Sequence, residues 1–339
     1  MRILHVIQEL GTGGAERIVV TLTRGAQAAG HEVAVVAASE PHADELDARR
    51  FDLPFLHRRP WRVPRAARAL RRAMRTWRPT LVHAHNPGVA LAVGLATRRL
   101  PALVSVHGVP EKDWPTAVRV LRLAGLPAVA CGPGVAAALR EHGLEPMETI
   151  SNAVGPAPPP TDLGVDAPLV LSVGRLAESK NHDLVIRALA QVPEAVLAIA
   201  GDGPLRSELA NVAEQAGVAD RVRFLGDRRD ARALMGGADA IVLASRAEGL
   251  PLVALEALAS GTPLVATAVR GLRELVADGQ NALLVPPEDT DAMAAALRRV
   301  LADRELAARL AAAGREVPGA GSDDEMVSRF LALYDRLVA

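Results

Sequence analysis

Short apolar runs and amphipathic stretches alternate along the whole chain. Residues 2–8, 32–38, 80–85, 102–106 and 128–131 form such runs, and the rhythm returns at 168–173, 195–200, 222–225, 238–244 and 281–286. Runs without strict alternation suit strands buried on both faces, which pair in parallel and need crossovers between them. The segments between them carry helical spacing, among them Gly13 to about Ala29, Arg58 to Arg78 and Pro251 to Gly261. The pattern predicts an α/β chain with two open parallel sheets. A proline-rich stretch, Gly155-Pro-Ala-Pro-Pro-Pro-Thr-Asp-Leu-Gly164, interrupts the rhythm and reads as a semi-rigid connector. The expected division is residues 1–154, a linker over 155–166, and a second domain over 167–322. No solenoid repeat is evident.

Residues Ser245 to Thr267 concentrate the candidate chemistry. The apolar run before them predicts a strand, and the helix that follows opens near Pro251 and closes at Gly261. Glu248 stands in the loop, and Glu256 lies eight residues on among Val253, Ala254, Leu255, Ala257 and Leu258. A carboxylate in that setting needs a partner. At about 1.5 Å rise per helical residue the two acids fall roughly 10 Å apart, enough to hold two ends of an extended polar ligand. The simpler reading is an exposed Glu248 at a helix start and a Glu256 paired with a nearby arginine.

In open parallel sheets the ligand lies at the carboxyl ends of the strands, so polar residues at strand exits are the next candidates. Gly174 and Arg175 end one strand, and Lys180 follows just before a helix. Both cations can converge on a diphosphate, the arginine by its planar fork and the lysine as a point charge. His83, His85 and His107 lie at the ends of two strands of the first half. Gly11, Gly13 and Gly14 form a loop between the first strand and its helix, a phosphate cradle of backbone amides. With Glu40 at the exit of the second strand, that loop imitates a dinucleotide fingerprint. Glu16 occupies the place of the third glycine, where a bulky acid opposes helix packing and repels a pyrophosphate.

Composition narrows the classes. A chain of 339 residues exceeds what one core usually serves, and 50% apolar with 23% charged residues is a globular balance. Aromatic residues make up only 2%, which argues against stacking platforms for nucleic acid. Cys131 is the single cysteine, so neither an intrachain disulfide nor a thiolate zinc cage is expected. The first apolar run is too short for a signal peptide and no later run approaches a membrane span, so a cytoplasmic protein is expected. Net charge is zero, but residues 1–153 carry 20 Lys+Arg against 13 Asp+Glu and the remainder 19 against 26, a split of +7 and −7. The densest basic stretch is Arg58–Arg78, where Arg65, Arg68, Arg71, Arg72, Arg75 and Arg78 surround a stripe of Ala67, Leu70, Met74 and Trp77. A solvated helix face is the simpler reading; the sharper one is peripheral association with an anionic membrane at its inner face or with a lipid-phosphate acceptor.

The Glu248 loop, its spacing to Glu256 and the run Glu256-Ala-Leu-Ala-Ser-Gly-Thr-Pro-Leu-Val-Ala266 resemble the nucleotide-sugar site of the family 4 retaining glycosyltransferases, which have the GT-B fold. Gly174-Arg-Leu-Ala-Glu-Ser-Lys180 matches that family's Gly-Arg-Leu-x-x-x-Lys motif, and Gly13-Gly-Ala-Glu-Arg17 its first loop, where backbone amides face the donor phosphate. His107 matches the position that reaches the transferred sugar, and His85 one on the acceptor side. Asn152 is kept from a usual Asn-Gly pair, with Ala153 in place of the glycine. Leu225 and Arg228 flank a loop that in this family lies beside the base.

The resemblance implies two Rossmann-like doubly wound domains facing across a cleft, with the last helix, about 323–338, crossing back onto the first. It also implies retaining transfer from a nucleotide-diphosphate sugar, expected to be UDP-linked, to a hydroxyl of a small-molecule, glycan or lipid-linked acceptor. Glu248, Gly249 and Leu250 would face the sugar and Glu256 the ribose, while Arg175 and Lys180 would absorb the charge of the leaving diphosphate. The family often has Glu-Gly-Phe-Gly where this chain has Glu248-Gly-Leu-Pro251, and a proline donates no backbone N–H. The one close match to a metal-binding DxD pair, Asp289-Thr-Asp291, follows Pro287 and reads as a helix cap. Neither a metal nor a cofactor is therefore expected. The alternatives are an epimerase or phosphorylase on the same scaffold, and a sugar-nucleotide-binding subunit without turnover.

Overall fold

The computed structural model describes all residues except Thr12, 39–45, Phe55, 57–59 and 98–99, together with the side chain of Pro60. Glu40 and Arg58 therefore lie outside the described residues. The chain forms two compact units, Met1–Asn152 with Asp323–Ala339, and Ala153–Ser322.

In chain order the first unit contains β1 (Arg2–Glu9), α1 (Gly14–Ala28), β2 (Glu32–Ala38), β3 (Arg49–Asp52), α2 (Val63–Trp77), β4 (Leu81–His85), α3 (Pro87–Thr97), β5 (Ala102–Val106), α4 (Trp114–Ala124), β6 (Ala128–Ala130), α5 (Pro133–Glu141) and β7 (Glu148–Thr149). Its sheet runs β3-β2-β1-β4-β5-β6-β7, and the paired strands are parallel. The order reverses at the β1/β4 junction, which makes the carboxyl ends of β1 and β4 the place for polar chemistry. β3 and β7 carry no apolar run. They are edge strands, and β3, sequence Arg-Arg-Phe-Asp, is half-exposed throughout or more. In α2 the buried positions are Ala66, Ala67, Leu70, Ala73 and Trp77, so one stripe packs inward while Arg65, Arg68, Arg72 and Arg75 stay exposed.

The second unit continues with β8 (Leu169–Val173), α6 (His182–Leu189), β9 (Val196–Ala200), α7 (Arg206–Gln215), β10 (Val222–Gly226), α8 (Ala231–Gly236), β11 (Ala240–Leu243), α9 (Leu252–Ser260), β12 (Leu264–Thr267), α10 (Arg270–Leu275), β13 (Leu283–Val285), α11 (Thr290–Ala302) and α12 (Arg304–Arg315). Its order, β10-β9-β8-β11-β12-β13, is parallel with the same reversal, here between β8 and β11. Two apolar clusters cover the two faces of the sheet. One is built on Leu184, Ile186, Leu197 and Leu297, the other on Leu171, Leu234, Ala254 and Leu272. Such double cover is why these strands read as unbroken apolar runs.

The last element, α13 (Asp324–Val338), belongs to the first unit. It packs on α1, where a side chain at Gly25 would strike Val327, and buries Met326, Phe330, Leu333 and Tyr334. The proline-rich stretch, expected as a semi-rigid connector, is held against its neighbours. It belongs to the second unit: the Thr161 amide donates to Ala233 O at 2.9 Å, and Leu163 and Val165 pack on the second cluster. Prolines kept it out of a helix, while the apolar residues between them still found a surface to cover.

Candidate donor site

The exits of β8 and β11 carry the polar residues of the second unit. Gly174, with φ 156°, turns the chain out of β8, and a side chain at Gly201 would strike the Gly174 carbonyl. Gly203 likewise presses on the Leu176 backbone. Turn chemistry alone does not explain these glycines; close approach of two strand exits does. The loop after Gly174 leaves Arg175 exposed and Lys180 partly buried at the end of a one-turn helix, Glu178–Lys180. Lys180 Nζ donates to Glu248 Oε1 at 2.5 Å, and Ser245 Oγ donates to the same oxygen at 2.6 Å.

Around that pair the two loops are lashed together. The Arg246 amide donates to Ser179 O at 2.9 Å, and its guanidinium to Glu178 O at 2.7 Å and Glu288 Oε1 at 2.8 Å. Asn181, at φ 52°, donates to the same Glu288 oxygen at 3.1 Å. Glu288 and its neighbours hold Arg246 firmly charged. The sequence reading passed over Ser245, Asn181, Arg246 and Glu288. They sit in three loops, after β8, β11 and β13, and with 42 residues from Arg246 to Glu288 nothing local marks that arginine and glutamate as each other's partners.

Gly271 lies in the first turn of α10. A side chain there would strike the carbonyls of Glu248 and Gly249, so α10 rests directly on the back of the site loop. Gly249 and Leu250 continue that loop into Pro251, which precedes the buried helix α9.

Glu248 is in the loop, as expected from its place before Pro251, and Glu256 is in the second turn of α9. Glu256 is 5% exposed, and Arg232 Nε stands 3.8 Å from its Oε1. Arg232 also donates to the carbonyls of Gly155 and Pro156 at 2.7 and 3.0 Å, so one guanidinium joins this acid to the start of the proline-rich stretch. Leu225 packs at the end of β10 against the second cluster. Arg228 makes a two-pronged contact with Asp230 at 2.7 and 2.6 Å, which fixes the plane of its guanidinium. Asp289 accepts from the Ala292 amide at 2.9 Å as the cap of α11, and Asp291 accepts from Gln191 at 2.7 Å.

In the first unit Gly13 caps α1 and Gly14 opens it, so backbone amides project from the helix start. His85 ends β4 and is 1% exposed, and His107 follows β5. Their rings lie end to end, 8° from parallel with centroids 5.3 Å apart, and His85 Nδ1 lies 3.0 Å from His107 Nε2. The His107 amide donates to Asn86 Oδ1 at 3.1 Å, and the Cys131 thiol donates to His107 O at 3.1 Å. Burial pushes that thiol up to about 12, which makes it an inert core group. Asn152 is buried beside this cluster and interacts with the His107 ring in the sense that favours the protonated form. Burial outweighs that interaction and holds His107 down at about 4.

Two doubly wound parallel units with polar strand exits define the class: a GT-B type α/β protein. Residues 158–317 match the model for "Glycosyl transferases group 1", and residues 12–158 that for "Glycosyltransferase Family 4". Among relatives, the lipopolysaccharide core biosynthesis glycosyltransferase LpsD of Rhizobium meliloti is 30% identical over 100% of this chain and 99% of its own. LpsE of the same organism is 34% identical over 65% of this chain and 67% of its own. A crystal structure of HepE from Anabaena in complex with UDP and glucose superposes with TM-score 0.84 at 21% identity, covering 98% of this chain and 99% of that one. The chain belongs to the family 4, group 1 glycosyltransferases.

Proposed function

We propose that the protein transfers a sugar, with retention of its anomeric configuration and without a metal, from a UDP-linked donor to a hydroxyl of a glycan or lipid-linked acceptor. The observation that carries this reading is the convergence of Lys180, Ser245 and Glu248 on one point at the exits of β8 and β11. Breaking a glycosyl–diphosphate bond leaves negative charge on the departing group, and fixed cations in a partly dry site stabilise it. Lys180 and the exposed Arg175 on the same loop are suited to that charge, and the amides of Gly13 and Gly14 are suited to an anion. Glu248 then orients sugar hydroxyls, Gly249 and Leu250 line them, and Glu256 takes the ribose hydroxyls. Leu225 and Arg228 are assigned to the base. On the acceptor side stand His85, Asn152 and His107, the last reaching the sugar.

Metal independence is supported by the engagement of both DxD carboxylates, Asp289 in a helix cap and Asp291 with Gln191. A UDP-linked donor is supported by the UDP in the HepE complex, and a lipid-linked glycan acceptor by the names of LpsD and LpsE. The exposed arginines of α2 fit an anionic membrane surface. No helix among the described residues is long and apolar enough to cross a membrane.

A nucleotide-sugar screen by thermal stabilisation tests the donor. The expected result is stabilisation by a UDP-sugar, followed by UDP release only when an acceptor is present, unchanged by a chelator. Release without acceptor, or an epimerised donor, refutes transfer. Flotation with anionic liposomes at moderate salt tests the α2 face, and a wholly soluble protein removes that partner.

A further inference from the structure

Three imidazoles form a single file from the middle of β1 to the carboxyl end of β5. His5, in the middle of β1, is fully buried, and its Nδ1 lies 3.0 Å from His85 Nε2. His85 Nδ1 in turn lies 3.0 Å from His107 Nε2. A fourth ring, His83, stacks on His85 with centroids 4.1 Å apart but does not join the file. Both its nitrogens are taken, Nδ1 by Tyr334 Oη at 2.7 Å and Nε2 by Ser105 Oγ at 2.8 Å. His5, His83 and His85 offer nitrogens within 4.8 Å of one another, a spacing a metal ion could use. The lone pairs such an ion would need already serve these contacts, with His5 Nε2 the exception.

Deep burial keeps each ring neutral, so each carries one hydrogen and one lone pair. Two junctions in series then permit only two arrangements, with every hydrogen on Nδ1 or every hydrogen on Nε2. The open ends are His5 Nε2 and His107 Nδ1, both buried and without a hydrogen-bond partner of normal geometry. Hydrogens on Nε2 would strand a donor at His5 in the core. Hydrogens on Nδ1 move that unpaired donor to His107, a partly buried residue at a strand exit, and leave His5 in the core with a lone pair, the better tolerated arrangement.

We propose that His5 and His85 are positioning residues that fix the tautomer of His107, with Nε2 turned inward as acceptor and Nδ1 carrying the hydrogen. His107 then meets a sugar or acceptor oxygen as a hydrogen-bond donor and not as a base. This use of the hydrogen rests on the reading of His107 as the group that reaches the sugar; the wiring behind it does not.

Long-range proton–nitrogen correlation spectra of the full chain, labelled with ¹⁵N histidine, report the tautomer directly. The expected result between pH 6 and 8, a range about the ordinary histidine pKa, is neutral His107 with its hydrogen on Nδ1. A hydrogen on Nε2, or a protonated ring, overturns the proposal. A second measurement uses two variants. His85→Asn keeps an N–H near the position of Nδ1, whereas His85→Asp can only accept and forces the His107 hydrogen onto Nε2. Turnover should fall about tenfold or more in His85→Asp relative to His85→Asn, with donor KM little changed, the scale of losing one positioned proton donor. Equal turnover in the two, with the tautomer moved, refutes the donor role. A wild-type chain with the expected tautomer and no transfer to any acceptor would refute the proposed function and leave the histidine wiring standing.

Discussion

Lys180 and Glu248 meet across two loops through one carboxylate oxygen, at 2.5 Å, and Ser245 shares that oxygen at 2.6 Å. The side chains are only 27% and 14% exposed, so the pair sits where a ligand's polar groups would be largely shielded from water. Under the proposed function the lysine meets the diphosphate charge and the acid orients the sugar hydroxyls, and their contact positions both before a donor binds. Each is the other's placeholder.

Glu248→Gln and Lys180→Ala should each lower turnover by about two orders of magnitude or more, the scale of one charge-stabilising contact. Because the two residues act as a unit, the double variant should be little worse than either single one. Steady-state kinetics on the four proteins checks this. Undiminished transfer by both single variants, or fully multiplicative losses, contradicts a shared role.

Gly271→Ala tests the support behind the loop. The added methyl group meets the Glu248 and Gly249 carbonyls, which are backbone and cannot swing aside. Overpacking of this kind costs about 1–3 kcal/mol. The expected outcome is a weaker donor affinity together with a lower unfolding midpoint, measured by titration and chemical denaturation. A variant that binds donor as wild type does would show that the loop can retreat without consequence.

Much of this architecture is legible in the sequence because both sheets are covered on two faces. β1, β4, β8 and β11 announce themselves as apolar runs, and Gly261, at φ 71°, ends α9 where the pattern stops. β3 and β7 do not, since an edge strand of two to four residues has no buried face to advertise. In the candidate site, Lys180 is marked by its place after a strand exit and Glu248 by the resemblance of its loop to the family. Arg246 and Glu288 carry no such mark, because their pairing depends on loops that only the folded sheet brings together. His5 had a faint signal that went unused: it is a polar ring inside an apolar strand and the register partner of His83. Arg232 was invisible as the partner of Glu256, although a partner of its kind was called for.

Tyr334→Phe probes the docking of α13. The Tyr334 hydroxyl is fully buried against His83 Nδ1 at 2.7 Å, and its removal leaves that nitrogen unpartnered in the core. The expected loss is about 1–3 kcal/mol of stability, the cost of an unsatisfied buried polar group. Urea unfolding with an unchanged m-value checks it. A midpoint equal to wild type would mean that His83 finds another partner.

Acid should destabilise the protein earlier than its carboxylates require. Burial lowers His5 to about 3 and His107 and His182 to about 4, and holds His83 and His85 well below the ordinary value. In the unfolded chain each recovers a pKa near 6.5. Between that value and the lowered one, the unfolded state binds more protons than the folded state, so stability rises with pH across the window. Full stability is present above about pH 6.5 and is lost as the pH falls toward 4, at up to about 1.4 kcal/mol per pH unit for each histidine. Chemical denaturation at half-unit steps from pH 7.5 to 4.5 should show the decline starting near about 6.5, before ordinary carboxylates begin to titrate. Calorimetry in buffers of different ionisation enthalpy should show proton uptake on unfolding at about pH 5.5, inside the same window. A flat profile down to about pH 5 would mean that these rings charge in place and that the core around them admits water.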